Sequence, residues 1–199
     1  MTTPPPASRS DEHDFALLVG GIPELTEEVE NCLFEAGCDD ATAGFFRGLL
    51  TLDFSRGAPS LQEAVLSAVQ DVRSAGIPGA EVLRVDSCNL VTASEIARKI
   101  GRSRQLVHQY INGDRGPGGF PPPECHLKED RPLWAWCAVS AWLAEHQFLR
   151  PEVSHQAEVI EAINRTLAAD RQARRLPDLV REVAEGLRVP GQAGACCGP

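Results

Sequence analysis

Residues 92–112 constrain this chain more than any other stretch, because local signals there fix two short helices and the turn between them. Thr92 can cap a first helix, and Glu95 three residues later completes a capping box. Ile96, Ala97 and Ile100 then make an apolar face, and Gly101 stands where a helix ends in a left-handed residue. Ser103 can cap a second helix, whose inward residues are Leu106 or Val107, Tyr110 and Ile111. That leaves Arg104, Gln105, His108 and Gln109 facing outward.

Arg and Gln carry paired donors and acceptors that match guanine and adenine edges in the major groove. The pattern is that of a helix-turn-helix, with Arg104, Gln105, His108 and Gln109 expected to read bases and Arg102 and Ser103 expected to hold phosphates. A net charge of −9 opposes DNA binding until its distribution is considered. Residues 1–91 hold 5 basic against 15 acidic side chains, residues 92–145 hold 7 against 6, and residues 146–199 hold 7 against 7. All the excess acid precedes the two helices, and phosphate attraction depends on local cations.

Beyond the second helix comes the turn-rich run Gly116-Pro117-Gly118-Gly119, and then Phe120-Pro121-Pro122-Pro123, which must be extended because each proline disfavours helix before it. Leu133 to Trp136 reads as a strand returning from a polar tip that holds Lys128 and Arg131, and Ala138 to His146 reads as a helix. An extended arm, a charged tip and a return strand make a wing, with Lys128 and Arg131 expected at the DNA backbone. The sequence T-A-S-E-I-A-R-K-I-G-R-S-R, then G-G-F-P-P-P, L-W-A-W and V-S-A-W-L, resembles the winged helix-turn-helix of MerR, excisionase and AlpA-type regulators. The resemblance covers about residues 90–146. It implies sequence-specific binding of double-stranded DNA, commonly as a dimer, with the wing on the backbone. The acidic segment ahead of the motif departs from the many relatives that begin with it. Trp134, Trp136 and Trp142 are expected in the core rather than as stacking platforms.

The first segment alternates strand and helix signals: strand 15–19, helix 26–36, strands 41–46 and 49–54, helix 61–74 and strand 81–85. The order βαββαβ is a ferredoxin-like split pattern. Gly20-Gly21 follows a strand, but neither a dinucleotide fingerprint nor a Walker sequence accompanies it. In this segment no nucleophile has a histidine nearby, so the expectation is no enzyme and no cofactor. Seven cysteines without C-x-x-C pairs, and His126 beside Cys125 alone, predict reduced thiols and no metal.

The expected fold class is therefore α+β: a disordered tail over 1–12, an acidic ferredoxin-like domain over 13–88, a winged helix-turn-helix over 89–148, two helices over 149–188 and a disordered tail over 189–199. Helices 151–169 and 176–187 carry apolar stripes that predict either a hairpin on the body or a dimerisation arm. A homodimer held by them or by the N-terminal domain is expected, since one short helix reads few base pairs. No apolar run reaches the roughly 18 residues of a membrane span, so a cytoplasmic protein without membrane contact is expected. The competing reading is a protein-interaction adaptor or antitoxin-like subunit that holds a protein partner through its acidic domain or C-terminal helices.

Overall fold

The computed structural model describes residues 11–87, 89–126 and 131–187. Residues 1–10 of the expected tail over 1–12, the expected tail over 189–199, and Lys128 lie outside the described residues. The architecture is mixed α+β. Its first half runs β1 (Asp11–Gly20), α1 (Glu27–Glu35), β2 (Ala41–Phe46), β3 (Leu49–Ala58), α2 (Leu61–Ser74) and β4 (Glu81–Val85). These strands form one antiparallel sheet in the order β2-β3-β1-β4. Thr26 and Ser60 cap α1 and α2 with their hydroxyls, so both helix starts follow local chemistry.

Alternation along β3 buries Leu50, Leu52, Phe54, Arg56 and Ala58 and turns Thr51, Asp53 and Ser55 outward. The buried face meets Leu17 and Val19 of β1 and Val65, Val69 and Val72 of α2. Both long strands exceed the sequence reading. β1 begins at Asp11 rather than Phe15, taking in the last two residues of the expected tail over 1–12, and β3 runs to Ala58 rather than Phe54, because Asp11 to Asp14 pair with Ala58 to Ser55. The extension places Arg56 on the core side, where it is only 8% exposed. Its charge is met there. Nε and Nη2 donate to Asp40 at 2.8 Å each, Nη1 to Asp71 at 2.6 Å, and Nη2 to the Gly37 carbonyl at 2.7 Å. The guanidinium also lies over the Phe54 ring.

The Arg47-Gly48 connection has φ of 53° and 78° at its two residues, as a two-residue hairpin needs. Gly21 meets a tighter demand. At φ 81° a Cβ there would stand 1.9 Å from the Gly79 carbonyl oxygen, so two turns touch through bare backbone. The Gly20-Gly21 pair thus has a packing reason.

The second half contains β5 (Leu90–Val91), α3 (Ala93–Lys99), α4 (Arg104–Asn112), β6 (Trp134–Ala135), α5 (Trp136–Glu145), α6 (Pro151–Arg175) and α7 (Pro177–Gly186). β5 pairs antiparallel with β6, and Cys125 bridges Leu133 next to it. The return strand is shorter than the sequence suggests. Trp136 opens α5 instead of ending the strand, its N–H already committed to the Asn89 carbonyl at 2.7 Å. A second core gathers Val91, Ile96, Val107, Tyr110, Val139 and Leu143 with all three tryptophans.

α6 joins the two cores. Ala157 belongs to the second, Ile163 and Leu167 to the first. Asn164 seals the edge of β4, accepting from the Val85 N–H at 2.7 Å and donating to its carbonyl at 3.2 Å. Arg171 adds a bond to the Leu83 carbonyl. The segment 170–175, charged in sequence, continues this helix. Arg174 finds an acid outside it, pairing with Glu81 at 2.6 Å as well as with Asp170 one turn back. The apolar stripe of α6 is thus used within the chain. α7 is different: none of its residues is buried, and Leu176, Leu179, Val183 and Leu187 form an exposed row. Among the described residues no helix is long and apolar enough to cross a membrane.

Candidate nucleic-acid interface

The interface is built from α3, α4 and the hairpin before β6. Thr92 starts α3 with both halves of a capping box: Glu95 N–H donates to its hydroxyl at 3.2 Å, and Thr92 N–H donates to the Glu95 carboxylate at 2.7 Å. Those bonds hold the Glu95 carboxyl below its ordinary range, with Arg98 and Lys99 assisting. Gly101 turns the chain at φ 62°, and the Ser103 hydroxyl caps α4 by accepting from Leu106 N–H.

Val107 and Tyr110 are buried beneath α4, while Leu106 and Ile111 are half-buried at its flanks. Tyr110 packs on Trp142 and Phe148, and Trp142 donates from Nε1 to the Gly118 carbonyl at 2.9 Å. Gly116 rests against the Tyr110 ring, where a Cβ would come within 3.1 Å of it. The Gly-rich run is therefore docked on the same aromatic cluster that anchors α4. This fixes the opposite face of the helix toward solvent.

That face carries Arg104, Gln105 and His108, all exposed, and Gln109 half-buried at its margin. Arg102 and Ser103 are exposed at the turn. Arg104 donates from Nε to His108 Nε2 at 3.2 Å, which makes that ring nitrogen the acceptor. Ser103 already accepts a capping bond, but its hydroxyl hydrogen remains to donate. Asn112, exposed one turn after His108, extends the row at spacing 104, 108, 112, and Arg115 is exposed in the turn beyond. Sequence reasoning passed over both, although the four-residue spacing was there to be read. Lys99, exposed on α3, has its ammonium 4.8 Å from the Trp136 ring centre and so lies along the protein surface.

The hairpin is closed by Leu133 N–H donating to the Cys125 carbonyl at 3.1 Å and Glu124 N–H donating to the Leu133 carbonyl at 2.8 Å. Arg131 is exposed just ahead of the return strand. Lys128 lies outside the described residues, so the structure places one of the two expected tip cations. Trp134, Trp136 and Trp142 are all buried, which leaves none of them as a stacking platform.

The sheet offers a polyanion nothing comparable. Its outer face presents Glu12, Asp14 and Asp53, and Ser55 shares one hydroxyl hydrogen between Glu12 at 2.9 Å and Asp14 at 2.6 Å. Phosphates are repelled there. The Cys38 thiol, pushed up to about 11 by burial and by Asp71 against the pull of Arg56, is no nucleophile at neutral pH. Among the described residues no group of three His, Cys, Asp or Glu could hold a metal ion.

No protein-family model matches this chain, and neither a curated protein nor a solved structure was found to be similar to it.

Proposed function

We propose that this chain is a sequence-specific double-stranded DNA-binding protein, a cytoplasmic transcriptional regulator rather than an enzyme. On this reading α3 and α4 are a helix-turn-helix, α4 enters the major groove, and the 124–133 hairpin is a wing on the backbone. The sheet order β2-β3-β1-β4 with βαββαβ connectivity supports a ferredoxin-like reading of the first half.

One observation carries the proposal. The row Arg104, Gln105, His108 and Asn112 is exposed on a helix whose reverse side is buried among aromatic rings. Such a row presents a bidentate donor for guanine and amides for adenine on a well-packed support. Arg102, Ser103 and Arg131 take phosphates, and Arg115 adds a further cation. Gln109, at the margin of the face, reaches a base only where the groove wall approaches it.

Genomic footprinting of the bound protein tests this. Protected sites sharing one sequence element support it, and protection spread without sequence preference, or none, contradicts it.

The exposed row on α7 favours a second reading, an adaptor or antitoxin-like subunit that grips a protein partner there. Stoichiometric co-purification of a protein, lost on Leu179→Glu and with no duplex bound, would replace the first reading by the second.

A further inference from the structure

The two edges of the main sheet are treated differently. β4 is closed by α6, whose Asn164 and Arg171 occupy the outward groups of Val85 and Leu83. β2 is the other edge, and among the described residues it carries none of the usual protections. Residues 41–46 read Ala-Thr-Ala-Gly-Phe-Phe, with no charge, no proline and no bulge against β3. Phe34 beside it and Phe46 at its end are 66% and 68% exposed.

We propose that β2 is a homodimer interface, pairing antiparallel with β2 of a second copy to give one continuous sheet. This holds whether or not α4 binds DNA.

The register follows from the hydrogen-bond alternation. Ser55 N–H donates to the Asp40 carbonyl, so Asp40, Thr42, Gly44 and Phe46 face β3. Ala41, Ala43 and Phe45 therefore point their backbone groups away from the sheet. Only a two-fold axis through Ala43 engages all three. Ala43 N–H then donates to the second copy's Ala43 carbonyl and the reverse, while each Phe45 N–H donates to the opposite Ala41 carbonyl. The Ala41 N–H is already held by the Cys38 carbonyl at 3.2 Å and needs no partner.

Two features of the side chains fit this register. Phe45 stands opposite the small Ala41, beside a hollow of about 350 Å³ whose walls include Leu33, Phe34, Cys38 and Ala43. Each copy offers both the ring and the hollow, on the same face of the joined sheet. Beyond the strand ends, Arg47 comes opposite the second copy's Asp39, and both side chains are exposed here. The complementarity is reciprocal, as a two-fold interface requires. A foreign strand could use the backbone edge, but only a second copy supplies the phenylalanine and the arginine at matching positions.

Light scattering on the full chain at micromolar concentration is the test, with circular dichroism to confirm folding of each variant. The wild-type chain is expected to be a dimer. Ala43→Pro removes an outward N–H that β3 does not use, and a monomer is expected. Arg47→Glu or Asp39→Arg alone should weaken the dimer about three- to tenfold, and the double variant should recover within about twofold. If Ala43→Pro fails to fold, the charge-swap pair decides. A wild-type monomer, a dimer indifferent to these changes, or one broken only by Leu179→Glu on α7 overturns the proposal.

Discussion

On the proposed reading, Arg104 is the residue on which base recognition would depend most, because its planar fork is the only one on the outward row of α4 that can bind guanine in a bidentate way. Its Nε already donates to His108, so contact with a base exchanges one bond for others rather than ordering a free chain. Arg104→Ala should cost about 1–3 kcal/mol on the preferred duplex and little on others. Arg102→Ala should weaken all duplexes alike, which competition binding would separate. Glu95 makes a prediction of a different kind. Its carboxyl is held low in the folded chain, so the capping box stabilises fully above the ordinary carboxylate range. That contribution is lost as pH falls through the lowered value. Glu95→Gln should therefore reduce the melting temperature at neutral pH and leave it nearly unchanged in strong acid. Gly21→Ala has no such pH dependence. It must displace the Gly79 backbone and should cost about 1–3 kcal/mol at any pH, read by denaturant unfolding.

At the scale of elements, legibility followed the range of the signal. Caps at Thr92 and Ser103 are local, and both stand at helix starts in the structure. The inward residues of α4 were legible for the same reason. What was hidden depends on partners distant in sequence. Arg56 sits at an alternating inward position, but nothing nearby says that Asp40 and Asp71 will meet it. Asn164 likewise reads as a polar interruption of a helix until the β4 edge is placed beside it. Asn164→Leu should leave the Val85 N–H and carbonyl buried without partners and cost about 1–3 kcal/mol or more. Protection of β4 amides from hydrogen exchange would fall more than that of β2. The two arms that meet at Cys125 and Leu133 were legible, while the early start of α5 at Trp136 was not, because the Asn89 carbonyl that holds its N–H lies 47 positions back.

For the whole molecule, α6 is the element that turns two cores into one body, since its first turns serve the aromatic core and its later turns the sheet. The acidic sheet face is thereby kept in a fixed relation to α4. If the proposed function holds, repulsion from that face should lower affinity for every duplex without altering preference among them. The proposed function requires that the outward row of α4 select a sequence. The direct measurement is fluorescence anisotropy with a duplex selected from a random pool and a scrambled duplex of the same composition, each titrated at several salt concentrations. The wild-type chain should prefer the selected duplex, its affinity should fall steadily with salt, and replacing Arg104, Gln105, His108 and Asn112 by Ala should erase the preference while leaving a weak salt-dependent binding. A preference that survives loss of all four side chains, or a pool that yields no preferred duplex, would contradict it.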